Sequence, residues 1–363
     1  MRVLHAAETI KGGVATVLRQ LVLSQQQDAE IRSLDCLVPD DQYEEMSAVR
    51  AEHLTTFHRT GRNIPSFIRF FVGFCALLLR KNPDVVHLHS TFAGVLGRIA
   101  LILLWPIRRP KVIYCPHAFS FLMQGSEKQR KAFSLIEKAL MGITDAIICV
   151  SEHERDKAIE YGFPAHKLQV IYNGVPTVAS EKSTPNPYPE NVLNLLFVGR
   201  FDYQKGFDIL LTAMERLRGR SVHLTAVGGG VHNKNAPLDT VPQTTYTGWL
   251  NAEALEPYFR HADVLIVPSR WEGFAMVPLE AMSYGVPVIA SNCTSFPEMI
   301  EDRRTGLLFE LQQPEMLVDY LMDTPQEEWK RMGQAARQRF LRKFTAEAMI
   351  GNTAALYKKV LGA

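Results

Sequence analysis

The chain has 363 residues, 40 Lys/Arg against 38 Asp/Glu and a formal net charge of +2. Such a length suits two domains with ordinary apolar cores, and a hydrophobic share of 47% excludes overall disorder. Residues 1–175 hold 21 Lys/Arg and 17 Asp/Glu, leaving 19 and 21 for the remainder; this bias excludes a nucleic-acid binder but suits an anionic ligand or an anionic membrane surface.

The cysteines at 36, 75, 115, 149 and 293 are widely spaced, several of them in apolar runs such as Ala146-Ile147-Ile148-Cys149-Val150. They read as buried small apolar residues. Without a C-x-x-C pair or a Cys/His cluster at ligand spacing, neither a zinc site nor a disulfide framework is expected, and a reducing, cytoplasmic compartment is. The start, Met1-Arg2-Val3-Leu4-His5, reads as a strand and lacks the pattern of a signal peptide.

Short apolar runs alternate with amphipathic stretches along the chain, the pattern of parallel strands joined by helices. In the first half strands are expected at 2–6, 31–38, 85–88, 112–115, 146–150 and 168–171. Apolar helices are expected at 67–79 and 95–107, each followed by two basic residues, Arg80-Lys81 and Arg108-Arg109. Both are too short to span a bilayer, so they read either as core helices or as segments that partly insert at an anionic bilayer face. The polar, proline-rich stretch within 177–192 reads as a linker. It separates a domain at 1–176 from one at 193–342. The second set of strands is expected at 195–198, 223–227, 264–267 and 286–290, with helices at 207–217, 252–261 and 278–283. A final amphipathic stretch, about 327–361, is expected to supply a helix at 343–363 that packs back on the first domain. Two doubly wound α/β domains are the simplest reading.

The strongest constellation is Pro268-Ser269-Arg270-Trp271-Glu272-Gly273-Phe274-Ala275-Met276-Val277-Pro278-Leu279-Glu280. It follows an apolar strand directly and places two carboxylates eight positions apart. A helix starting near Phe274 would aim its unpaired N–H groups, those of Phe274, Ala275 and Met276, at the carboxyl end of that strand, where they attract phosphate. Glu272 in the loop and Glu280 in the helix could then reach different parts of one extended ligand. Singly, a loop glutamate is more often a cap and a mid-helix glutamate a solvated face. Together with the glycine and the flanking strand, the E-x7-E pattern resembles that of the GT4 family of retaining glycosyltransferases. The likeness runs on through Ala281-Met282-Ser283-Tyr284-Gly285-Val286-Pro287-Val288.

That resemblance implies a GT-B architecture, two Rossmann-like domains facing across a cleft, with the nucleotide sugar on the second. Upstream, Gly199-Arg200-Phe201-Asp202-Tyr203-Gln204-Lys205-Gly206 lies between a strand and a helix. The resemblance makes Arg200 and Lys205 the diphosphate clamp, for fixed cations stabilise the charge that builds on a departing diphosphate. It makes Glu280 the ribose acceptor and Glu272 a contact of the transferred sugar. Lys11-Gly12-Gly13 after the opening strand matches the family's glycine loop, where Gly12 and Gly13 permit close approach of an anionic ligand. His117, in Pro116-His117-Ala118-Phe119, matches the donor-facing histidine, although a lone histidine is more often structural. His89 and Ser90 are expected on the acceptor side.

What the family implies is retention by front-face attack, with no cofactor beyond the nucleotide-sugar co-substrate. The expected acceptor is a lipid-linked or polysaccharide glycan, as in surface-polysaccharide or lipopolysaccharide assembly. No Asp-x-Asp triplet is present to hold a metal ion, which weakens a metal-dependent transferase, and Gly228-Gly229-Gly230 lacks the remaining glycine of a dinucleotide fingerprint. A nucleotide-sugar epimerase or a catalytically silent nucleotide-sugar binder remains as the alternative.

Overall fold

The computed structural model describes residues 1–178, 183–230 and 241–362; the expected linker lies partly outside them. The chain divides into two compact units, Met1–Asn173 with Ala346–Ala363, and Gly174–Thr345. Each is an α/β unit around a wholly parallel sheet, which is the GT-B pairing of domains.

The first unit runs β1 (Arg2–Ala7), α1 (Gly13–Gln25), β2 (Ser33–Pro39), β3 (Leu54–Phe57), α2 (Ile64–Lys81), β4 (Val85–His89), α3 (Thr91–Leu103), β5 (Lys111–Cys115), α4 (Glu127–Ala139), β6 (Ala146–Cys149), α5 (Glu152–Glu160) and β7 (Leu168–Val170). The strand order is β3-β2-β1-β4-β5-β6-β7. Helices cover both faces of such a sheet, so its strands are buried on both sides and read as continuous apolar runs. Helix α2 starts three residues before its apolar run because the Asn63 side chain caps the Ser66 N–H at 3.0 Å and Pro65 suits the first turn. It ends at Asn82, which adopts the left-handed conformation. Helix α3 lies four residues earlier than expected, since Pro106 bars its continuation and Ser90 turns the chain into it.

The second unit contains β8 (Leu193–Arg200), α6 (Phe207–Arg216), β9 (Val222–Gly229), β10 (Thr244–Gly248), α7 (Ala252–His261), β11 (Val264–Val267), α8 (Met276–Tyr284), β12 (Val288–Ser291), α9 (Phe296–Met299), β13 (Gly306–Phe309), α10 (Glu315–Asp323) and α11 (Gln326–Lys343). Its sheet has the order β10-β9-β8-β11-β12-β13. The long final stretch forms two helices: α11 stops at the non-helical Phe344, and α12 (Ala346–Leu361) belongs to the first unit. Helix α11 lies close on the end of α8, where a Cβ on Gly333 would fall 2.1 Å from the Gly285 carbonyl oxygen.

The first core encloses an ion pair. Arg98 is fully buried on α3, bonds Glu137 of α4 at 2.6 Å and lies 4.2 Å from the centre of the Tyr114 ring, while the Tyr114 hydroxyl donates to Glu137 at 2.9 Å. Removing one partner leaves the other charge without compensation, at a cost of about 3–5 kcal/mol. Arg98→Met is therefore expected to destabilise the first unit by that amount in urea unfolding. The double variant Arg98→Met/Glu137→Met recovers most of the loss.

Candidate functional site

In an open parallel sheet, ligands gather at the carboxyl ends of the strands where the strand order reverses. In the second sheet that point lies between β8 and β11. Arg200 ends β8, Lys205 follows in its loop, and Glu272 stands in the loop after β11. Lys205 Nζ bonds Glu272 Oε1 at 2.6 Å. Asp202 shapes the first loop: it accepts from the Lys205 backbone N–H at 2.9 Å and pairs with Arg200 at 3.1 Å. Arg200 also donates to the Gln204 side chain at 2.7 Å, and Gln204 in turn donates to the Trp271 carbonyl at 3.2 Å.

Gly206 makes this meeting possible. It adopts φ +66°, and a Cβ there would lie 1.9 Å from the carbonyl oxygen of Pro268. Only a residue without a side chain lets the two loops approach so closely. Arg270, beside them, is held by Asp208 at 2.7 and 2.6 Å and stacks over Tyr203 at 3.7 Å.

Helix α8 opens with Ala275 as its N-cap, so Phe274 lies outside it, one correction to the expected start. No side chain caps this end, no acidic residue occupies its first turn, and Pro278 brings no N–H. Ala275, Met276 and Val277 thus supply the free amides of the N-terminus. Phe274 is buried instead, its ring 5.8 Å from that of Phe344. Glu280 is half-buried in α8, and burial pushes its carboxyl up to about 7.

The first sheet reverses order between β1 and β4. At that edge lies a pocket of about 460 Å³ lined by Lys11, Arg59, Arg62, Ser90 and His117, among others. Gly12, at φ +59°, precedes α1, and Gly13 is its first residue; neither lines the pocket, but their neighbours Lys11 and Val14 do. Ser90, His117 and Ala118 all have positive φ, at 73°, 56° and 127°. Such strain in non-glycine residues persists where the surroundings impose it, and it concentrates at functional sites. Beside the pocket, fully buried Glu8 pairs with Arg59 at 3.1 Å and Arg62 at 3.7 Å.

His89 does not line the pocket; it lies beneath it in a group of four imidazoles. His5 Nδ1 and His89 Nε2 are 3.0 Å apart, as are His89 Nδ1 and His117 Nε2. His5 Nε2 meets Gln25 Oε1 at 2.8 Å, and His87 Nδ1 meets the Tyr357 hydroxyl at 2.6 Å. Burial lowers all four pKa values, those of His5 and His117 to about 4, and for His87 and His89 repulsion from the neighbouring rings adds to it. His5, Arg59 and Arg62 escaped the sequence reading. For His5 the available signal was its place in the opening strand, in register with His87; the two arginines lie in a loop without a motif.

Two family models match the chain: glycosyltransferase family 4 over residues 11–178 and the group 1 glycosyl transferases over residues 193–324. An uncharacterized 41.2 kDa protein in the cps region of Klebsiella pneumoniae is 36% identical over 99% of both chains. The UDP-Gal:alpha-D-GlcNAc-diphosphoundecaprenol alpha-1,3-galactosyltransferase of Escherichia coli is 26% identical over 70% of both. Among solved structures, the apo lipopolysaccharide outer core galactosyltransferase WaaB matches with TM-score 0.75 and 20% identity, covering 99% of this chain and 100% of that one. Anabaena HepE with UDP and glucose matches with TM-score 0.78 and 17% identity over 99% and 100%.

The buried imidazoles carry a consequence for stability. Their folded pKa values lie below the unfolded value of about 6.5, so the unfolded chain binds more protons as the medium is acidified, and stability is lost as pH falls from about 6.5 towards 4. For His5 alone this amounts to about 3 kcal/mol. Denaturant unfolding at pH 7, 6 and 5 is expected to show that decline, and His5→Gln to lessen its slope.

Proposed function

The chain belongs to glycosyltransferase family 4, and we propose that it moves a hexosyl or N-acetylhexosaminyl group from a nucleoside-diphosphate sugar to a hydroxyl of a lipid-linked or polysaccharide acceptor. A uridine donor is favoured over a guanosine donor. The observation that carries the reading is the meeting of Lys205 with Glu272 at the reversal of strand order in the second sheet, where Arg200 ends β8 and α8 opens without a cap. Two similar proteins support the choice of substrates, one a galactosyltransferase onto a diphosphoundecaprenol-linked sugar and the other crystallised with UDP and glucose.

In this reading Arg200, Lys205 and the amides of Ala275 and Met276 bind the diphosphate, and Glu280 accepts from the ribose hydroxyls. The bond from the anomeric carbon to the diphosphate oxygen breaks while the acceptor oxygen bonds the same face. The departing oxygen takes the acceptor's proton, so configuration is retained. Side-chain cations and helix amides stabilise the developing charge without a metal ion. Glu272 receives sugar hydroxyls and gives up Lys205 to the phosphate as the donor binds. On the first unit, the Gly12-Gly13 turn adds amides, His117 contacts the transferred sugar, and Ser90 faces the acceptor from the pocket edge.

The protein is proposed to act at the inner face of the cytoplasmic membrane. No helix among the described residues is long and apolar enough to cross a bilayer. Helix α2 instead exposes Ile64, Ile68 and Val72, with Arg80 and Lys81 in its last turn, a combination that favours contact with anionic lipid.

Titration calorimetry with UDP tests the site. Lys205→Ala is expected to weaken binding about 10–100-fold, the loss of one charge-assisted hydrogen bond. Glu272→Ala is expected to tighten UDP binding, because Lys205 is released from its carboxylate, while sugar transfer collapses. Unchanged UDP affinity in both variants would refute the assignment, and loss of transfer in EDTA would refute metal independence. UDP-glucose affinity is expected to fall as pH drops below about 7, since protonated Glu280 loses its charge-assisted bonds. Glu280→Gln flattens that limb.

A further inference from the structure

The four clustered histidines of the first unit, His5, His87, His89 and His117, cost the fold more than a structural role explains. His5 and His87 are directly paired across β1 and β4, and His89 follows two residues on, so the three rings share one face of the sheet. That is a position where a doubly covered parallel sheet ordinarily carries Val, Ile or Leu, yet all three are at most 1% exposed. His5 and His89 bond each other and the line continues to His117 at the pocket, while His87 stands beside it, its Nδ1 on the Tyr357 hydroxyl and its Nε2 buried without a partner.

A neutral imidazole has one N–H and one bare nitrogen, so a line of imidazoles has a direction. The group at its inner end sets that direction. Gln25, on α1, presents its amide oxygen to His5 Nε2, which places the proton of His5 on Nε2 and leaves Nδ1 as an acceptor. His89 must then donate from Nε2 to His5 Nδ1 and accept at Nδ1. His117 must donate from Nε2 to His89 Nδ1, which leaves its own Nδ1 bare. If the Gln25 amide were turned over, every donor along the line would reverse, and His117 would present an N–H instead.

We propose that Gln25, His5 and His89 are positioning residues that hold His117 as its neutral Nε2–H tautomer, with Nδ1 offered to the pocket as a hydrogen-bond acceptor for a hydroxyl. The identification of that hydroxyl with a sugar's rests on the function proposed above; the tautomer does not. Neutrality suits the task, since a sugar hydroxyl is a ready donor and an imidazolium would have no acceptor to give it. The charged groups on the neighbouring segments are engaged elsewhere, Glu8 with Arg59 and Arg62, and Glu154 with the N–H groups of Phe119 and Val150. One nitrogen each from His5, His87 and His89 lies within 4.8 Å of the others, and His5 and His89 already bond each other through one nitrogen apiece.

The test is long-range proton–nitrogen NMR of the full chain labelled with 15N-histidine, without ligand, at pH 7, with His117 assigned through His117→Gln. The expected result is a neutral His117 protonated on Nε2. In Gln25→Leu, His117 is expected to show nitrogen shifts averaged between tautomers, whereas Gln25→Glu, an acceptor only, preserves Nε2–H. Should Gln25→Leu fail to fold, His89→Leu removes the final link and is expected to average His117 while His5 keeps its proton on Nε2. An Nδ1–H or cationic His117 in the unaltered protein overturns the proposal, as does a His117 signal indifferent to both substitutions. Stoichiometric zinc in the purified protein, measured by mass spectrometry, also overturns it, because a metal would occupy the lone pairs that the line of hydrogen bonds requires.

Discussion

The arrangement depends on one constraint of parallel sheets. Crossover connections are right-handed, so a sheet that grows outward in both directions from a central pair must send its helices to opposite faces. At the pair where growth reverses, the loops leaving the carboxyl ends part and leave room for a ligand. This chain does so twice, at β1/β4 and at β8/β11. Each reversal gathers the residues with chemistry in its unit: His117, Ser90 and Lys11 around the first, and Lys205 with Glu272 at the second.

At the second reversal the backbone decides what the side chains can do. Lys205 and Glu272 are 67 residues apart in sequence and meet at 2.6 Å because Gly206 sits against Pro268. The carboxylate keeps the lysine ammonium in place and lowers the cost of holding a partly buried cation before any anion arrives. Under the proposed function, an incoming diphosphate exchanges one ionic partner for another. A site built in this way is already ordered for an anionic ligand, which reduces the entropy lost on binding.

Much of this was legible in the sequence, and its gaps have physical causes. The apolar central strands announced themselves, and the strand-then-glycine context of the two loops singled out Arg200, Lys205, Glu272 and Glu280. Three strands went unseen, β3, β10 and β13. All are sheet edges of four or five residues; an edge strand needs no continuous apolar run, and Thr55, Thr56, Thr244 and Thr245 dilute the signal. The start of α8 was misplaced by two residues because Phe274 looks like the beginning of an apolar helix face, whereas it lies in a bend that leads into the extended cap at Ala275. The pairing of Lys205 with Glu272 was beyond any local pattern, since it follows from the approach of two separate loops.

The histidines show a different limit. His87 and His89 were visible as alternating residues on a strand, but His5, 82 positions earlier than His87, joins them only through the register of β1 with β4. Buried polar atoms left without partners cost about 1–3 kcal/mol each, and three imidazoles on a core face would be hard to sustain singly. With His5 and His89 bonded in line and ended by Gln25, and His87 held by the Tyr357 hydroxyl, the group becomes tolerable, but only while uncharged, because four imidazolium ions in that volume would repel one another in a poorly solvating interior. The burial that makes the group vulnerable to acid is thus the same burial that keeps each ring neutral. A residue type chosen elsewhere for its readiness to take a proton is used here in a setting that withholds one, and what it transmits through the core is the orientation of a hydrogen bond.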